Sequence, residues 1–198
     1  AAPLDAVVAA DVDHVSAYAL GIESGTKLAA RVRAGELSAP DDDVAADRYQ
    51  LADRVLRGGG FSWYELSNWA RDDDARCRHN LLYWRNHNWW GVGPGAHSHL
   101  SGLRWWNVGD TDTWAAGAGD DSAASPRIGG HELLDADQRE LERVLTGIRL
   151  AEGLPLRDDA ARSVLDVRVR GLVEVRDGRA VLTEHGRLLA DEVVRALA

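Results

Sequence analysis

Most of the side chains with evident chemistry in this 198-residue chain gather in one stretch. Cys77-Arg78-His79-Asn80-Leu81-Leu82-Tyr83-Trp84 is followed shortly by Gly91-Val92-Gly93-Pro94-Gly95-Ala96-His97-Ser98, all within 22 residues. All eight tryptophans lie between Trp63 and Trp114. A neutral imidazole can coordinate iron, and apolar aromatic planes can flank a macrocycle. Together they suit a flat, iron-bearing ligand such as heme, with His79 as the iron contact and Tyr83 and Trp84 against the ring. The same residues have a plainer use, in which His79 and Asn80 bond loop backbone while the aromatics fill core. Spacing alone leaves both open.

The neighbouring groups divide the same way. The glycines of Gly91-Val92-Gly93-Pro94-Gly95 allow backbone N–H groups to approach a ligand closely, or simply make a tight turn. The spacing is neither a dinucleotide fingerprint nor a P-loop. His97 and His99 share one face of a strand, as in some metal hydrolases, but lack acidic partners nearby in sequence. Cys77 sits between Arg76 and Arg78, which would favour a thiolate; a lone loop cysteine is more often incidental. Arg104 could stack on Trp105 or Trp106, for a planar ligand or to lock the loop. Arg162, Arg168 and Arg170 could meet phosphates, but Asp158, Asp159 and Asp166 interrupt any basic face.

The elements that must position these groups are legible in part. Asp13 to Leu20 reads as a strand apolar on both sides, as in a parallel sheet. Asp41-Asp42-Asp43 opens a helix striped by Val44, Leu51, Val55 and Leu56, and Gly58-Gly59-Gly60 ends it. Phe61 to Leu66 is again strand-like, so strand, helix and strand predict a right-handed βαβ unit. From Ala70 to about Gly119 periodicity fades, which predicts a long functional loop. Ala115 to Gly130 reads as a linker. Asp135 and Gln138 predict a capped helix carrying Leu141, Val144, Leu145 and Ile148. A second helix is expected over Asp158 to Val169. Leu172–Val175 and Ala180–Leu182 flank the hairpin signal Asp177-Gly178, and Leu189, Val193 and Leu197 line a last helix. Helices and a two-stranded wing make a winged-helix-like module.

Composition bounds the rest. Against 23 basic residues stand 32 acidic ones, a net charge of −9, which argues against nucleic acid and anionic lipid as nonspecific partners. No run approaches the roughly 18 apolar residues of a membrane span. The single cysteine suits a reducing cytoplasm and cannot supply the thiolates of an iron–sulfur cluster. With no methionine and an Ala1-Ala2-Pro3 start, the chain reads as a fragment of a longer protein.

Taken in order, His14-Val15-Ser16-Ala17-Tyr18, Trp63-Tyr64-Glu65-Leu66-Ser67-Asn68-Trp69-Ala70, Cys77 to Trp84 and Gly91 to Ser98 resemble the C-terminal half of the HemW family, the heme chaperones of the radical-SAM class. The resemblance implies an α/β fold: residues 1–122 as the last part of a partial (βα) radical-SAM barrel, and 123–198 as a winged-helix-like α+β domain. It implies heme at His79, Asn80, Tyr83 and Trp84, with His79 on the iron, and delivery of that heme to acceptor proteins. It places Gly93, Gly95, Ala96 and His97 toward an S-adenosylmethionine and substrate cavity. In the full-length protein a [4Fe–4S] cluster and S-adenosylmethionine are implied, held by a cysteine loop in the other half of the barrel. That half is then itself a partner, nucleic acid is not, and membranes are met peripherally through the acceptors. The related oxygen-independent coproporphyrinogen III oxidase HemN supplies the alternative activity, and a metal hydrolase built on His97 and His99 a second one. Two departures stand out: Asn86-His87-Asn88 replaces a glycine-containing turn, and the second helix of the C-terminal module is short.

Overall fold

The chain divides into two units, Ala1–Cys77 and Arg78–Ala198, so the aromatic stretch is shared between two bodies. The computed structural model describes residues 2–117, 127–157 and 171–197. The first unit runs α1 (Ala2–Ala9), β1 (His14–Ser16), α2 (Lys27–Arg33), α3 (Asp42–Gly58), β2 (Ser62–Glu65) and β3 (Asn68–Ala70). Asp41 caps α3 as its sequence predicts, accepting from the Val44 amide at 2.9 Å. Gly59 donates back to Val55 and Leu56, and Gly60, at φ +87°, turns the chain away. Of the predicted stripe, Leu56 is fully buried while Val44 is exposed. Leu56 joins Val15, Phe61 and Trp69 in a core flanked by Val7, Val8 and Tyr49. Each such apolar side chain contributes roughly 1.5–3 kcal/mol when fully buried.

The sheet corrects the expectation of a simple parallel pair. Its order is β1-β3-β2, with both pairings antiparallel. β1 and β2 run in the same direction, but β3 lies between them. β2 turns through Leu66-Ser67 directly into β3, and a short hairpin closes at less entropic cost than a long crossover. The strand expected over Asp13 to Leu20 is confined to His14–Ser16. Tyr18 and Leu20 are instead 71% and 66% exposed, beside a cavity of about 590 Å³ walled by Leu28, Val32 and Tyr49.

The second unit contains α4 (Arg78–Trp84), β4 (His97–Leu100), β5 (Leu103–Asn107), α5 (Thr111–Ala116), β6 (Ile128–Leu133), α6 (Ala136–Gly147), β7 (Leu154–Pro155), β8 (Val173–Arg176), β9 (Arg179–Leu182), α7 (Glu184–Leu188) and α8 (Ala190–Leu197). The stretch expected to be one long loop therefore carries two helices and a hairpin besides the end of β3. Those elements span only four to seven residues, too few for a period to register. β4, β5 and β6 form one antiparallel sheet, and β7, β9 and β8 another.

The C-terminal elements follow their signals closely. Asp135 and Gln138 make the reciprocal capping box of α6. Val144 and Ile148 enter a core with Leu154, Leu182 and Val193, while Leu141 and Leu145 remain exposed. Asp177 and Gly178, at φ +49° and +74°, turn β8 into β9 in the manner of a type I′ hairpin. Leu189 does not join the last helix; it separates α7 from α8 and is exposed. The helix expected over Asp158–Val169, the residues Arg162, Arg168 and Arg170, and the boundary at 122/123 lie outside the described residues. So does most of the expected linker, between α5 and β6.

Candidate functional site

His79 and Tyr83 come together because α4 is helical: positions four apart share a face. The Tyr83 hydroxyl lies 2.8 Å from His79 Nε2, and the two rings meet edge-on at 4.9 Å. Both side chains are exposed. Leu81 anchors the helix from its buried side. The helix ends in a Schellman-type cap, with His87 N donating to Leu82 O and Asn86 N to Tyr83 O. Asn86 takes φ +51°, so an asparagine occupies the left-handed position that usually favours glycine. This answers the departure at Asn86-His87-Asn88. Asn86 Nδ2 donates to Thr146 Oγ1 at 3.0 Å, and Asn88 Oδ1 accepts from the Ser101 amide at 2.8 Å.

A row of rings continues from Tyr83. Trp89 meets it edge-on at 4.7 Å and lies 4.9 Å from the ring of His99. Trp89 is itself fixed by an Nε1 bond to His97 O at 3.1 Å and by a two-way backbone bridge to His99. Nothing in the sequence but local aromatic density marks Trp89 as a site residue. Trp84 stands half-buried at the helix end, and its buried Nε1 finds no acceptor among the described residues. Leaving such a donor unpaired costs roughly 1–3 kcal/mol, which an acceptor on a bound molecule would offset. Asn80 is half-buried on the same helix.

The glycine-rich segment folds back upon its own hairpin. Gly91 N donates to Ser98 Oγ at 2.9 Å, Gly95 N to Val108 O at 2.8 Å, and Ala96 N to Gly93 O at 3.3 Å. A Cβ at Gly91 would stand 2.2 Å from His97 O, so only glycine fits there. These amides serve the loop. His97 is exposed and stacks on Trp106 at 5.8 Å, with Gly130 making room for the indole.

His97 and His99 both lie on β4, yet they do not offer a metal two free imidazoles. His99 is buried, with Nδ1 on His87 O at 3.0 Å and Nε2 accepting from Gly102 N at 3.0 Å. Among the described residues, no group of three or more histidines, cysteines or carboxylates could hold a metal ion. Arg104 does not stack on an indole; it bridges Glu132 and Glu142, and the guanidinium over a tryptophan is that of Arg127, 4.4 Å from Trp114. Cys77 is exposed, and Arg76 beside it pairs with Asp73.

The first unit holds a polar cluster that no spacing argument singled out. Asn68, 2% exposed, accepts from Ser16 Oγ and donates to Glu65 Oε1 and, at 3.2 Å, to Tyr18 OH. Its local signal is only the acid and the asparagine, Glu65 and Asn68, that flank a two-residue turn between strands; Ser16 joins them from β1. Nearby, Trp69 Nε1 donates to Asp53 Oδ1 at 2.8 Å. His14 Nε2 lies 2.9 Å from Tyr64 OH, and burial pushes the imidazole below its usual pKa.

No family model matches the chain. It is 50% identical over 98% of its length to the heme chaperone HemW of Mycobacterium tuberculosis, and 29% identical over 98% to that of Bacillus subtilis. An 88-residue segment is 52% identical to a mitochondrial radical S-adenosyl methionine domain-containing protein of Danio rerio, covering 44% of this chain and 20% of that one. The chain spans about half the length of the HemW relatives, 50% and 53% respectively. Among solved structures it superposes on the coproporphyrinogen III oxidase HemN of Escherichia coli, a radical SAM enzyme, with a TM-score of 0.69. That match has 16% identity and covers 98% of this chain and 50% of the other, so it speaks for the fold alone. No described helix is long and apolar enough to cross a membrane.

Proposed function

We propose that this chain, which belongs to the HemW family across the half of those sequences it spans, supplies the heme-holding surface of a chaperone that passes heme to acceptor proteins. The observation that carries this reading is the exposed His79–Tyr83 pair on α4, with Trp84 and Asn80 on the same helix. The donor set fits the cargo. Imidazole and phenol are both ligands that iron porphyrins accept, and aromatic planes flank them.

In this reading residues 1–122 are the last strands and helices of a radical-SAM barrel, and residues 123–198 a winged-helix-like domain. Exposed Tyr18 and Leu20 beside the first unit's cavity support a further barrel half as a partner there. Gly93, Gly95, Ala96 and His97 would face the S-adenosylmethionine and substrate cavity of the completed barrel. A [4Fe–4S] cluster does not fit this chain's own residues, since one cysteine cannot replace three thiolates. Its ligands would come from the other half.

Titrating the chain with heme, for the wild type and a His79→Ala/Tyr83→Phe double variant, tests the site. The expected result is a loss of affinity of roughly a hundredfold, or about 2.7 kcal/mol. Equal affinity with an unchanged Soret band would remove α4 from the heme site.

A further inference from the structure

We propose that the iron ligand on α4 is the phenolate oxygen of Tyr83, that His79 is its positioning residue, and that the cargo is therefore ferric heme. The inference rests on the heme-holding reading above and deepens it. An imidazole ordinarily meets heme iron through Nε2, and that nitrogen already faces the Tyr83 hydroxyl at 2.8 Å. For His79 to bind iron there it would first have to give up this bond. Tyr83 need not give up its partner, because a phenol oxygen can keep a hydrogen bond to the imidazole while a second lone pair meets the metal.

The packing agrees with this division of roles. Tyr83 is held on two sides: His79 stands edge-on at 4.9 Å and Trp89 edge-on at 4.7 Å. Trp89 is in turn tied to His97 O and to the β4 backbone through its bridge with His99. The direction of the phenol is thus set by the hairpin, which a ligand atom requires. Tyr83 is still 38% exposed, so a planar cargo can approach it.

The binding step balances without any electron transfer. An Fe(III)–O bond forms and the phenolic O–H bond breaks. The proton passes to His79 Nε2, which then donates it in a hydrogen bond to the coordinated oxygen. A water or chloride leaves the iron. A phenolate is a hard anion and favours ferric over ferrous iron, so the site selects heme whose iron is in the ferric state.

The experiment is a titration of the full chain with hemin, followed by absorbance and electron paramagnetic resonance, for wild type, Tyr83→Phe and His79→Gln. Wild type should show a high-spin ferric phenolate signature and lose at least about tenfold in affinity when the heme is reduced with dithionite. Tyr83→Phe should abolish that signature. His79→Gln should retain it while binding roughly 10–100-fold more weakly, as expected for loss of a partner that orients a ligand. If Tyr83→Phe instead keeps the wild-type ferric spectrum and His79→Gln loses it, histidine is the ligand and this inference falls while the heme-holding reading stands. If neither variant changes affinity or spectrum, both fall.

Discussion

His14 with Tyr64 in the first unit, and His79 with Tyr83 in the second, make the same bond, Nε2 to phenol oxygen at 2.9 and 2.8 Å. Their surroundings are opposite. Tyr64 is 2% exposed, and its oxygen also accepts from the Cys77 amide at 3.3 Å, so the pair ties β1, β2 and the end of the unit together across 50 residues. Tyr83 is 38% exposed, and its pair spans one helical turn. A bond joining distant segments offsets chain entropy and belongs to stability. One made within a helix is worth only about 0.2–0.5 kcal/mol to that helix. The same two residue types are therefore structural in one unit and available to a ligand in the other.

That contrast can be broken at several points. It requires the first unit's polar atoms to be locked into its core, which Trp69→Ala tests most severely. The substitution empties the space of a fully buried indole and removes the donor to Asp53. A loss of about 3–5 kcal/mol is expected in denaturant unfolding, and a loss under about 1 kcal/mol would show the core to be loose.

Tyr64→Phe keeps the ring and deletes only the hydroxyl between His14 and Cys77. It should cost about 1–3 kcal/mol by the same measurement, the penalty for stripping partners from a largely buried bond. His14 sharpens the comparison through pH. Its folded pKa lies below 6.5, so the unfolded chain binds the extra proton first. Stability is then full above about pH 6.5 and falls as acid is added from there to the folded pKa. His14→Gln should flatten that part of the profile; a slope unchanged by the substitution would assign it to other groups. Tyr83→Phe should move stability by less than about 0.5 kcal/mol in either direction. A loss matching that of Tyr64→Phe would make the exposed pair structural as well.

How much was readable in advance differs by region. Asp135 and Gln138, and Asp177 with Gly178, act through atoms within a few residues, and each formed as predicted. The spacing of His79 and Tyr83 marked them, but that they bond to each other depended on α4 being a helix. By sequence alone that region is a loop, because a seven-residue helix between short strands leaves no period to detect. His97 and His99 looked equivalent until the Gly102 turn and His87 carbonyl claimed both nitrogens of His99. Trp89 could not be anticipated, as its contacts reach forward to the next strand and back to the helix.

From the residues alone came the capped helices, the last hairpin and the motif that carries an imidazole and a phenol four positions apart. These depend on local hydrogen bonds and on backbone angles that a few neighbouring side chains dictate. Folding decided which histidine would be buried and which exposed, which strand would come between β1 and β2, and which tyrosine would be free to meet a ligand. Those outcomes turn on packing between segments far apart in the chain, where the cost of closing a loop is weighed against the surface it buries, and no local pattern records that balance.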